Sequence, residues 1–170
     1  MTTYLVLTVI ADDKPGLVES LSQTIADNSG NWLESSMAQL AGKFAGILRV
    51  SVADKHADKL ISELRGLSGQ LKLVIEKAEG ELVTESSQTV ELSLVGNDRP
   101  GIVREISSAL AGLAVNVETL STECTPTPMS GGDLFKANAI LRVPATLELE
   151  LLQAELEKLA DDLIVEIYQA

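Results

Sequence analysis

Asp13-Lys14-Pro15-Gly16-Leu17-Val18 returns as Asp98-Arg99-Pro100-Gly101-Ile102-Val103, 85 residues further along a chain of 170. Self-similarity at that distance points to two copies of one structural unit. Upstream, Leu5, Leu7, Val9 and Ala11 stand at the same spacing from Val90, Leu92, Leu94 and Gly96. Their alternation is that of a strand with one buried face. Downstream, Leu17, Leu21 and Ile25 correspond to Ile102, Ile106 and Leu110, and steps of four put each trio on one stripe of a helix. Each helix is expected to end just before Asn31 and Asn116.

Two further strands are predicted in each copy, at 31–41 and 44–53 and again at 116–124 and 134–143. Here the spacing changes, because Ile47-Leu48-Arg49-Val50 recurs as Ile140-Leu141-Arg142-Val143, 93 residues on. The second copy therefore gains eight residues, most of them in 125–133. A second amphipathic helix carries Leu60, Leu64 and Leu67, matched by Leu152, Leu156 and Leu159. A last strand carries Leu71, Leu73 and Ile75, matched by Leu163, Val165 and Ile167. The fold class is α+β, with two tandem ferredoxin-like βαββαβ units, each a four-stranded antiparallel sheet with two helices on one face. The expected boundaries are a first domain at 1–79, a polar linker at 80–88 and a second domain at 89–170. Almost no chain remains for a third, catalytic domain.

Composition narrows the function classes. The apolar residues, 45% of the chain, fall in runs far shorter than the roughly 20 residues a membrane span requires. No basic stretch precedes the first apolar run, so neither a membrane helix nor a signal peptide is expected. One cysteine, Cys124, fits a reducing, cytoplasmic setting. The formal charge of −12 has the wrong sign for gripping a phosphate backbone, so no direct nucleic-acid binding is expected. The acidity is uneven: residues 1–80 carry 8 basic and 10 acidic side chains, residues 81–170 carry 5 and 15. A solvated surface and a basic protein partner both account for that.

The turn after each first strand is a candidate anion site, because the following helix offers unpaired N–H groups and the positive end of its dipole. Gly16 and Gly101 would let a carboxylate approach the backbone, while Asp13 and Asp98 could hold an ammonium group. The same residues suit a purely structural role, Pro15 and Pro100 starting the helix and the aspartates satisfying its first donors. Asn31 and Asn116 offer amides toward the same turn, or simply end the helix. Trp32 is expected near the first turn. His56 and Cys124 lack metal-ligand or nucleophile neighbours. Gly42-Lys43 lacks the rest of a phosphate loop, and Ser130-Gly131-Gly132 lacks the setting of a nucleophile elbow. No catalytic residue, metal site or cofactor is expected. On the outer face of the first strand, Val6, Thr8 and Ile10 stand against Glu91, Ser93 and Val95, so the first copy's outer face should be covered, which leaves a homo-oligomer open.

A strand ending in Asp-x-Pro-Gly-Leu/Ile-Val, then a helix and a second strand opening with Asn, resembles the ACT domain, a regulatory module that often binds amino acids. Two such domains with nothing attached, and Thr125-Pro126-Thr127-Pro128-Met129-Ser130-Gly131-Gly132 ahead of Leu134-Phe135, are similar to the glycine cleavage repressor family. The resemblance implies a non-catalytic regulator sensing a small amino acid, glycine first. It would act through contact with a DNA-binding transcriptional activator of glycine cleavage genes. It implies ligand contacts at Asp12, Asp13, Pro15, Gly16, Leu17 and Asn31, and at Asn97, Asp98, Pro100, Gly101, Ile102 and Asn116. A regulatory subunit of a metabolic enzyme is the alternative.

Overall fold

The computed structural model describes residues 1–79, 86–128 and 132–170, which divide into two compact units, Met1–Leu82 and Val83–Ala170. The first contains β1 (Thr2–Asp12), α1 (Leu17–Asp27), β2 (Asn31–Leu40), β3 (Lys43–Ala53), α2 (Asp54–Arg65) and β4 (Lys72–Ala78). The second repeats the order with β5 (Ser87–Asn97), α3 (Ile102–Gly112), β6 (Asn116–Pro126), β7 (Asp133–Pro144), α4 (Leu149–Glu157) and β8 (Ile164–Gln169). The sheets are antiparallel, with strands ordered β2-β3-β1-β4 and β6-β7-β5-β8. This is the expected α+β, ferredoxin-like arrangement, twice. Most of the expected linker, 80–85, lies outside the described residues, and its last two positions belong to the sheet, Ser87 pairing with Pro144 and Gln88 with Val143.

Each core forms where the strand and helix patterns meet. Leu5, Leu7 and Val9 pack with Leu17, Leu21, Ile25, Leu60 and Leu64 in the first unit. Val90, Leu92 and Leu94 pack with Ile102, Ile106, Leu110, Leu152 and Leu156 in the second. The first helices stop earlier than expected, at Asp27 and Gly112. Ser29 (φ 62°) and Ala114 (φ 57°) adopt the left-handed conformation, and the next N–H turns back to the helix, Gly30 to the Ile25 carbonyl at 2.8 Å and Val115 to that of Leu110 at 3.0 Å. This six-residue closure satisfies a terminal carbonyl and ends the helix.

The central register corrects the sequence match. Thr2 pairs with Ala53 and Ser87 with Pro144, and Asp12 pairs with Lys43 where Asn97 pairs with Leu134. Residues of β3 therefore correspond to those of β7 at a spacing of 91, and the two Ile-Leu-Arg-Val stretches are displaced by one pleat repeat. Arg49 occupies the position of Ile140, and Arg142 that of Ser51. A slip of two residues keeps every side chain on its own face, so the apolar alternation could not reveal it. Two residues, 41–42, separate Leu40 from Lys43, against eight, 126–133, between Thr125 and Leu134. The gain at the hairpin is thus six residues rather than eight. Part of it extends the ladder, since Pro126 pairs with Asp133 and the Thr127 N–H donates to the Gly132 carbonyl at 3.1 Å.

Candidate functional site

Both β-to-α turns share one backbone construction. The Asp13 N–H donates to the Gly42 carbonyl at 2.9 Å, and the Asp98 N–H donates to the Asp133 carbonyl at the same distance, so each turn is tied to the hairpin beside it. Gly16 (φ 92°) and Gly101 (φ 86°) are left-handed, and their carbonyls accept the first helical bonds, from Ser20 at 2.9 Å and Glu105 at 3.0 Å. A Cβ added at either glycine would meet nothing within 4 Å, so the backbone conformation, not crowding, favours glycine, and the space above it is open. Among the described residues no side chain caps either helix, so Asp13 and Asp98 do not take the capping role that the sequence left open. Pro15, Gly16, Pro100 and Gly101 are exposed, whereas the side chains of Leu17 and Ile102 are buried under the helix, which leaves only their backbone to face a ligand.

The charged groups around the two turns differ. In the first unit Asp12 is ion-paired with Lys43, whose hydrogen bond and charge hold its carboxyl below the usual 3.8, while Asp13 stays exposed. In the second unit the Asn97 N–H donates to Asp162 Oδ2 at 2.6 Å. Arg99 is ion-paired with Glu105, which raises the guanidinium and lowers the carboxyl. Cys124 lies beside Asp98 and Asp133: loss of solvent around the thiol raises its pKa first, and the Asp98 carboxylate raises it further. The residue as a whole is exposed, and a raised pKa makes its thiol a poor nucleophile at neutral pH. Sequence reading considered Lys43 only as part of a phosphate loop, which it rejected, and passed over Glu105 and Asp162. The Ala41-Gly42 turn puts Lys43 opposite Leu40, and only the pairing of β3 with β1 brings it opposite Asp12.

Asn31 and Asn116 are not brought to the turn of their own unit. Asn31 pairs with Ser51, which stands beside Tyr4 at the far end of β1 from Asp12, and Asn116 pairs with Arg142, which stands beside Thr89. Eight residue steps along the strand separate the two ends in each unit, about 26 Å at ~3.3 Å per residue. Trp32 follows Asn31 and packs on the core from β2, away from the expected turn. A β-bulge falls at the same place in both units, with Leu33 and Glu118 as the extra residues, and beside it Glu34 pairs with Arg49 at 3.1 Å and Glu118 with Arg142.

His56 is half-buried in the first turn of α2, and among the described residues no three His, Cys, Asp or Glu side chains stand close enough to hold a metal ion. Ser130 and Gly131 lie outside the described residues. No helix among the described residues is long and apolar enough to cross a membrane.

Residues 3–77 match the ACT domain family. Across 100% of this chain and 99% of the other, the fold is similar to the crystal structure of an unknown protein from Galdieria sulphuraria, at 27% identity and a TM-score of 0.88. A crystal structure described as a candidate glycine cleavage system transcriptional repressor is similar at a TM-score of 0.72 and 17% identity, with 100% and 99% covered, and that likeness is one of fold. No curated protein matches the chain. The chain has a tandem ACT-like fold, and its first unit matches the family by sequence.

Proposed function

We propose that this tandem ACT-fold chain is a non-catalytic regulator that responds to a small amino acid and acts by contact with another protein. The observation that carries the reading is the pair of β-to-α turns. Each presents an uncapped helix start, a left-handed glycine with open space above it and an exposed aspartate, Asp13 or Asp98, the latter hydrogen-bonded with the Cys124 thiol. Unpaired N–H groups at the positive end of a helix suit a carboxylate. An exposed aspartate suits an ammonium group, and an α-amino acid carries both. Within each unit the contacts would come from Asp12 to Gly16 and from Asn97 to Gly101, without Asn31 or Asn116.

Glycine is the first ligand to test, and a DNA-binding regulator of glycine cleavage genes the first partner, because the likeness in fold to a candidate repressor of that system spans the whole chain. The net charge of −12 makes direct DNA binding unfavourable, so an effect on transcription would pass through the partner. Calorimetry against a panel of amino acids tests the sensing. Saturating heat from glycine or another small amino acid, lost in Asp13→Ala and Asp98→Ala together, is the expected result. Absence of heat and of thermal shift across the panel ends the proposal. A pull-down from cell extract then separates a transcription factor from a metabolic enzyme.

A further inference from the structure

In the second unit a mostly apolar cavity of about 40 Å³ lies between α3 and the edge strand β6. Ala137 and Ala139 form its floor, and Val103, Val117 and Leu120 rim it at 44%, 36% and 54% exposure. The register identifies what stands at the same places in the first unit: Trp32 for Val117, Met37 for Thr122 and Leu48 for Ala139. Trp32 and Met37 pack on their core and Leu48 is buried in it. Met37 lies so flat on the sheet that a Cβ on Gly46 would stand 2.5 Å from its Cγ. No residue of β6 joins the second core in that way. Three larger residues in the second unit, Leu94, Leu120 and Ala137 for Val9, Ser35 and Gly46, return only part of the lost volume, and Leu120 is at the rim.

Such a void is not neutral. An apolar cavity gives water no partners, and its lining loses dispersion contacts. At about 10–15 Å³ per water, the cavity holds a group the size of about three waters, or roughly three to four carbons. Its lining extends along β6 to Thr122, and Cys124, the next residue on the same face of that strand, lies beside Asp98 of the second turn.

We propose that this cleft is a binding site for a short aliphatic group. Taken with the amino-acid reading above, on which this step rests, it receives the side chain of a branched aliphatic amino acid. The second unit then selects a ligand that the first, filled by Trp32, Met37 and Leu48, does not.

Methyl NMR of the full chain tests it, with isobutanol, L-leucine, L-valine and glycine as probes. Isobutanol and leucine should shift the methyls of Ile106, Ala137 and Ala139, and glycine should not. Leucine should bind the second unit at least about tenfold more tightly than glycine, as a filled apolar pocket allows. Ala139→Leu restores the first unit's side chain and should abolish the shifts. Thr122→Met does so at the exposed edge strand, where folding is least at risk, with a thermal melt as control. Unmoved cleft methyls with both isobutanol and leucine overturn the site, even where glycine gives heat, which leaves the sensing proposal intact. Shifts with isobutanol and with no amino acid keep the aliphatic site and overturn the amino-acid reading.

Discussion

Gly101→Ala and Gly101→Asn together isolate what the turn demands of its backbone. Gly101 sits at φ 86° and ψ 1°, and a Cβ placed there would meet no atom within 4 Å. The cost of alanine is therefore that of the left-handed conformation alone, about 1–2 kcal/mol, with no steric term to add. Asparagine visits that conformation more readily and should recover roughly half of the loss. For a unit of this size, about 1.5 kcal/mol corresponds to some 6–12 °C in the midpoint of its transition. Urea unfolding followed by far-ultraviolet circular dichroism reports both units, and the fluorescence of Trp32 on the first core separates the transition of the second. The matching Gly16 variants can be followed by fluorescence, because Trp32 is the only tryptophan and packs on the first core. A loss under about 0.5 kcal/mol, or asparagine no better than alanine, would refute the conformational argument, and a loss above about 3 kcal/mol would show crowding at a place where the structure has none. Under the proposed function both substitutions also weaken amino-acid binding in the folded protein, since either side chain enters the space above the helix start.

Ala114→Gly should stabilise the second unit by about 0.5 kcal/mol, because φ 57° strains alanine by more than glycine's extra unfolded freedom costs; a destabilised variant would contradict this. Asp12 has a carboxyl pKa lowered by Lys43, so the pair contributes stability above the ordinary value of 3.8 that disappears as pH falls through the lower folded value. Asp12→Asn should accordingly lower the urea midpoint of the first unit slightly at pH 7 and leave it unchanged near pH 2, and an equal effect at both would remove the ion pair as its cause. A gel shift with the isolated chain at low salt should show no complex with DNA, since electrostatic attraction would be greatest there and the chain is acidic. Replacing 126–133 by the Ala41-Gly42 turn of the first unit should leave the second folded and, if the hairpin contacts the partner protein, reduce that affinity at least fivefold in a pull-down titration; an unchanged affinity moves the contact elsewhere.

The fold was legible because two independent periodicities agreed twice. Leu5, Leu7 and Val9 alternate as a strand, Leu17, Leu21 and Ile25 step as a helix, and both sets end in one core. Three things were not legible, for different reasons. The register of β7 was hidden because its slip equals the pleat repeat, so the similarity of two Ile-Leu-Arg-Val stretches outweighed a hairpin geometry that no local residue announces. The distance from Asn31 to the turn was hidden because nearness in topology order is not nearness in space: α1 carries the chain back along the whole length of β1 before β2 begins. Lys43 and Asp162 were missed because each reaches the turn from another element, and Glu105 because its partner Arg99 lies outside the helix, where helical spacing does not pair them.

The units agree where the backbone must be unusual and diverge where only side chains are seen. A left-handed glycine, a left-handed residue after the first helix, a bulge in the edge strand and an aspartate N–H bonded to the neighbouring hairpin occur at matching places in both. Each closes a turn or satisfies a backbone polar group, so none can change without disturbing the sheet. The outer faces are under no such constraint. Thr8 stands between Ile47 and Val74 in the first unit, and Ser93 stands between Asn138 and Glu166 in the second. Ile47 and Val74 are more than half exposed, so the centre of that first face loses hydration free energy that only a covering surface would return, whereas the centre of the second is polar and its exposed apolar side chains, Ile164 and Tyr168, stand on the edge strand. The helix side reverses the pattern, filled in the first unit and hollow in the second. A duplicated sequence that held its backbone and exchanged the apolar character of its two faces has units suited to different contacts, which is why the variants above are assigned to one unit at a time.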